Sequence, residues 1–111
     1  MTTYDTRELD HSVVVTPTGR LNMVAAPRLR EQLRQLVDDG SRHLVVDLSS
    51  TEFIDSSGLG ALISGLKAAR QAGGDLRIAA PTEQVRRVLT LTKLDKVLAA
   101  HETAEAAFDG R

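Results

Sequence analysis

The chain has 111 residues, 41% hydrophobic and 26% charged, the composition of a single globular domain (1–111) long enough to bury a core without staples. It has no cysteine, which excludes disulfides and thiolate metal sites and suits a reducing compartment. A formal net charge of −1 and only Tyr4, Phe53 and Phe108 as aromatic residues argue against direct nucleic-acid binding, which draws on a basic excess and stacking side chains.

No apolar run approaches the roughly 18 residues of a membrane span, and the opening Met1-Thr2-Thr3-Tyr4-Asp5-Thr6-Arg7-Glu8 lacks the apolar segment of a signal peptide. The expectation is a cytoplasmic protein without a membrane partner. Val13-Val14-Val15 opens the first predicted strand, which extends toward Pro17 or past it to Leu21, with Pro17 at a bulge or edge. Asn22 is the predicted N-cap of the first helix, and Pro27 is tolerable there only in the first turn. Leu29, Leu33, Leu36 and Val37 share one face of that helix, and Gly40 stops it.

Residues 43–48 form a short, nearly continuous apolar strand of the kind buried on both faces. A polar bend follows, and a second helix begins near Ser57 with the stripe Leu59, Leu62, Ile63 and Leu66. Gly73-Gly74-Asp75 is turn chemistry, and residues 76–80 are a further strand. Pro81-Thr82 leads into a third helix with Val85, Val88 and Leu89 inward. Lys96-Val97-Leu98 reads as a weak last strand, and residues 103–108 as a terminal helix or helical turn. Alternating strands and helices imply an α/β domain with a mixed, mostly parallel sheet of four to five strands and three to four packed helices. In such sheets sites gather where strand carboxyl ends meet helix amino ends.

Asp55-Ser56-Ser57-Gly58 lies at that kind of junction. One reading is a capped helix start, because the first turn of a helix has unpaired N–H groups and a positive dipole end. The other is a phosphorylation site: two serines exceed what one cap requires, and Gly58 and Gly60 place no side chain in the way of a docking kinase. Phosphate adds about −1.5 to −2 charges, and the helix end would tolerate the anion. Its effect would therefore fall on whatever covers that surface.

Phe53-Ile54-Asp55-Ser56-Ser57-Gly58-Leu59-Gly60 resembles the signature of STAS-domain anti-sigma factor antagonists. Gly19-Arg20-Leu21-Asn22, Leu44-Val45-Val46-Asp47-Leu48 and Gly73-Gly74-Asp75-Leu76-Arg77-Ile78 extend the resemblance over about residues 10–108. The resemblance implies a STAS-like fold and a partner switch. The unphosphorylated antagonist binds an anti-sigma factor, which releases its sigma factor. The anti-sigma factor is often also a serine kinase that phosphorylates the second serine, here Ser57, and a PP2C-type phosphatase reverses the reaction. Asp55 and Ser56 would shape docking and transfer, and the chain would be a substrate and binding module, not an enzyme. Family members often carry Asp where this chain has Asn22. Asn caps as well as Asp but without the charge, so recognition by the kinase is the property it bears on.

Other constellations are weaker. The Gly-x-Ser-x-Gly elbow of hydrolases lacks its leading glycine at Ile54-Asp55-Ser56-Ser57-Gly58, and His11, His43 and His101 lie in no partner motif. Gly58-Leu59-Gly60 breaks the dinucleotide pattern at its third glycine, and no phosphate loop is present. Without ligand spacing between histidines, no metal and no cofactor is expected. Arg30 and Arg34 read as a solvated helix face, with Arg34 pairing to Asp38, and Arg86-Arg87 likewise. The competing functional readings are a STAS module binding a nucleotide or other anion at the helix mouth, and a scaffold in a larger signalling complex.

Overall fold

Val13, Val14 and Val15 are β-branched, which suits a pleated surface, and the sheet grows outward from them. The structure, a computed structural model, describes residues 4–109. Strands β1 (Asp5–Glu8), β2 (Val13–Thr16), β4 (His43–Asp47), β6 (Asp75–Ala79) and β7 (Ala100–His101) form one sheet in that order. β1 pairs antiparallel to β2, and the remaining pairings are parallel. Strands β3 (Gly19–Leu21) and β5 (Thr51–Ile54) form a separate parallel pair. Helices α1 (Ala26–Asp38), α2 (Ser56–Gln71) and α3 (Glu83–Leu91) complete the described elements, with a 3-10 turn at Leu94–Lys96. The mixed α/β architecture expected from the sequence is the one observed.

The sheet buries its two faces unequally. Val15, Leu44, Val46, Leu76 and Ile78 face the helices, where Leu29 and Leu33 of α1, Leu62, Leu66 and Ala69 of α2, and Val85 and Leu89 of α3 close over them. Val14, Val45 and Ala79 on the other face are covered by Ala104, Ala107 and Phe108 of the C-terminal turns. Phe108 stacks on His43 with centroids 4.6 Å apart, and the Arg77 guanidinium lies 4.3 Å from the centroid of its ring. The C-terminal turns thus do for this face what three helices do for the other, and residues 104–109 are hydrogen-bonded turns, the second of the two expected forms.

The first strand takes the shorter of its two expected extents, toward Pro17: the chain leaves the main sheet after Thr16, and residues 19–21 pair with β5. Four other readings require correction. The bend before Ser57 is itself a strand, β5, whose buried Thr51 and Ile54 flank an exposed Glu52. Asp5–Glu8 is a strand that its polar, exposed residues gave no sign of; charge suits an unprotected sheet edge. Residues 96–98 are not a strand. Lys93 turns left-handed (φ 62°), a 3-10 turn follows, and Ala100–His101 takes the place beside β6. α1 begins at Ala26 rather than directly after Asn22, with Pro27 at its second position.

Gly40 stops α1 as the sequence predicts. Its φ of +106° lets its N–H reach Val37 O and the Ser41 N–H reach Leu36 O, both at 3.0 Å. Gly40→Ala is expected to cost about 1 kcal/mol, because a side chain at positive φ is strained. Thermal unfolding of the variant checks this.

Candidate functional site

The strand β5 ends at Ile54, and Asp55 turns the chain into α2. Asp55 is extended (φ −118°, ψ −171°), the geometry of an N-cap. Its Oδ1 accepts the N–H of Ser57 at 2.9 Å and of Gly58 at 3.1 Å, and its carbonyl accepts the N–H of Leu59 at 3.0 Å. Asp55→Ala removes that cap and is expected to destabilise the domain by about 1 kcal/mol. Urea titration would show it, and Asp55→Asn, which keeps the acceptor, should restore most of the loss.

The β3–β5 pair sets the position of the second half of the site. Leu21 lies opposite Ile54, and the Asp55 N–H donates to Leu21 O at 3.4 Å. Asn22 therefore stands beside Asp55 although 33 positions separate them in sequence. Its Oδ1 accepts the N–H groups of Val24 at 3.0 Å and Ala25 at 3.2 Å, so it caps the turn that feeds α1 rather than the helix itself. From the other side, Gln84 Oε1 of α3 accepts the Ile54 N–H at 3.2 Å, and Thr82 Oγ1 donates to Thr51 O at 3.0 Å. The open edge of β5 is thus held by one side chain of α3 and one of the N-cap before it.

The structure brings Asn22, Asp55, Ser56, Ser57 and Gly58 together at one end of this pair. Ser56 is exposed and Ser57 half-buried. Gly58 is not a surface residue clearing the way for a kinase: it is buried, and a Cβ built on it would lie 2.3 Å from Leu21 O and 2.7 Å from Ile54 Cγ1. Its lack of a side chain lets α2 press against β3. Gly60 is partly open, and the atom nearest to where its Cβ would stand is Arg30 Nη2, at 3.7 Å.

Sequence reasoning missed Met23 and Val24, which are 68% and 77% exposed in the turn that follows Asn22. Their exposure depends on where Asn22 halts β3, a long-range outcome. It also missed Gln84, whose amide gave no sign of its strand partner. Among the described residues no histidine hydrogen-bonds a serine of this site: His43 Nδ1 is 3.1 Å from His11 O, and His101 Nε2 is buried without a partner. No group of three or more metal-binding side chains occurs among the described residues, and no helix there is long and apolar enough to cross a membrane.

The STAS domain profile matches residues 3–107. The anti-sigma-B factor antagonist of Staphylococcus aureus is 30% identical over 101 residues, covering 91% of this chain and 94% of that protein. The crystal structure of an anti-sigma factor antagonist from Mycobacterium paratuberculosis superposes with a TM-score of 0.85 at 31% identity, covering 97% of this chain and 92% of that one. The Bacillus cell fate determinant SpoIIAA in its phosphorylated form superposes with a TM-score of 0.73 at 20% identity, over 96% of this chain and 97% of that one, a likeness of fold alone. A glycine-pressed strand–cap–helix junction, a profile match over nearly the whole chain and relatives that share a regulatory name converge: the chain belongs to the STAS domain family, among its anti-sigma factor antagonists.

Proposed function

We propose that the unphosphorylated chain binds an anti-sigma factor that is also a serine kinase, that the sigma factor is thereby released, and that phosphate on Ser57 ends the complex. The chain acts as substrate and binding module rather than as an enzyme, and a PP2C-type phosphatase returns it to the binding form. The observation that carries this reading is the setting of Ser57: half-buried in the first turn of a helix whose cap, Asp55, bonds to Leu21 just before the exposed apolar pair Met23 and Val24. A partner that covers that pair also covers the serine. A phosphate enclosed under it is stripped of water at a cost of several kcal/mol, which an ion pair need not return, and each 1.4 kcal/mol is a factor of ten in affinity.

The helix mouth weighs against the alternative of a nucleotide or free anion there. The two N–H groups that would receive it are already taken by Asp55 Oδ1. The test is a capture from a lysate of the source cells with wild-type, Ser57→Ala and Ser57→Asp baits, read by mass spectrometry. A serine kinase of the anti-sigma type should be held by the Ala bait and lost by the Asp bait. Equal recovery with all three would sink the switch in favour of a constitutive scaffold, and phosphate mapped to Ser56 alone would overturn the site.

A further inference from the structure

A phosphate on Ser57 would enter a charged setting that the helix end does not neutralise. Asp55 already lies across the first turn and consumes the N–H groups of Ser57 and Gly58. Its carboxylate is itself negative, so a phosphate nearby needs a cation from another element. Three basic side chains, Arg30, Arg34 and Lys67, line the groove between α1 and α2, and geometry separates them. Lys67 lies ten residues beyond Ser57 on the same helix, roughly 15 Å along its axis. Arg34 is held on its own helix by Glu31 and by Asp38, the latter at 2.6 Å. The helices run side by side with Arg30 opposite Gly60 and Leu33 opposite Gly65, so Arg34 is also carried away from Ser57.

Arg30 is different. It makes no ion pair among the described residues, and it is exposed. Its Nη2 lies 3.7 Å from the Cβ position of Gly60, and Gly60 stands one turn from Ser57 on α2. Residues at that spacing have Cβ positions about 5–6 Å apart. That interval is within reach of the long Arg30 side chain, whose planar guanidinium can meet two oxygens of a phosphate on Ser57. A Cβ at position 60 would stand in ordinary contact with this arginine, and glycine leaves the space open.

Building on Ser57 as the modified residue, we propose that Arg30 is the intramolecular counter-ion of its phosphate. Phosphorylation then changes two charges on the partner-facing surface: a dianion arrives, and the Arg30 cation is drawn onto it and withdrawn from any acidic group of the partner. Arg30 is a positioning residue in this switch, acting on the phosphate rather than on the transfer.

The experiment places phosphoserine at position 57 during translation, in the wild-type chain and in Arg30→Gln, Arg30→Lys and Arg34→Gln backgrounds, and follows the phosphorus resonance against pH. The second phosphate pKa of phosphoserine is about 6. The wild-type phosphate is expected to titrate about half a unit lower than that of Arg30→Gln, a threefold change in acid constant for an exposed pair. Arg30→Lys should fall between them and Arg34→Gln should match the wild type. High salt should shrink the difference. An unmoved titration in Arg30→Gln, or an equal shift in Arg34→Gln, would overturn the proposal. Because no kinase takes part, the result is independent of the partner capture: failure of the capture with a retained titration shift removes the partner switch but leaves the ion pair.

Discussion

Replacing Gly58 with alanine is expected to destabilise the domain by about 2 kcal/mol, although alanine is the better helix former by about 1 kcal/mol. The added methyl would lie 2.3 Å from the carbonyl oxygen of Leu21, which is backbone and cannot rotate aside as a side chain does. Overpacking of this kind costs typically about 1–3 kcal/mol and occasionally more, and a backbone neighbour places the site at or above the upper end. Relief would require the first turn of α2 to lift from β3, which also strains the Asp55 N–H bond to Leu21 O. The predicted signature is a lower urea midpoint with an unchanged slope, together with amide shifts concentrated at residues 21–22 and 54–58. A midpoint equal to the wild type would mean that the contact between α2 and β3 is loose, and the account of Gly58 as a packing residue would fail. Gly60→Ala is the internal control. Its Cβ meets nothing nearer than 3.7 Å, so helix propensity should make it neutral or slightly stabilising.

Ser57→Asp is expected to leave the fold intact and to weaken binding of the anti-sigma partner at least tenfold. The fold survives because residue 57 is half-buried in the first turn, where a negative charge is tolerated by the helix dipole. Affinity falls because a carboxylate enclosed by the partner loses its water, and 1.4 kcal/mol of uncompensated desolvation is a factor of ten. Ser57→Ala, which removes only the hydroxyl, should bind as the wild type does and accept no phosphate. Titration calorimetry of the three proteins against the captured partner reads the difference directly. Equal affinity of the Asp and Ala variants would show that charge at residue 57 does not govern the contact.

The helices were legible because their information is local. Leu29 and Leu33 in α1, Leu59, Leu62 and Leu66 in α2, and Val85 and Leu89 in α3 recur at helical spacing, and all seven are buried. The strands β4 and β6 were legible for a similar reason, as apolar runs between turn signals. β1 was not, because Asp5-Thr6-Arg7-Glu8 has no buried face of its own and is a strand only through its pairing with β2. The last strand was misplaced because Val97 looks better suited to a sheet than Ala100, while the left-handed turn at Lys93 brings Ala100 and not Val97 beside Ile78.

By itself, then, the sequence determined the alternation of elements, their inward faces, the capped serine junction and the resemblance to STAS antagonists, because each is written in residues within a few turns of one another. Tertiary structure alone decided that Asn22 stands beside Asp55, that Gly58 is a packing requirement, that Met23 and Val24 are bare, and that Arg30 faces Gly60. Each of those depends on strand pairing or helix packing between segments about 30 residues apart. Such contacts form from the summed burial of many side chains, and no short stretch of sequence contains that sum.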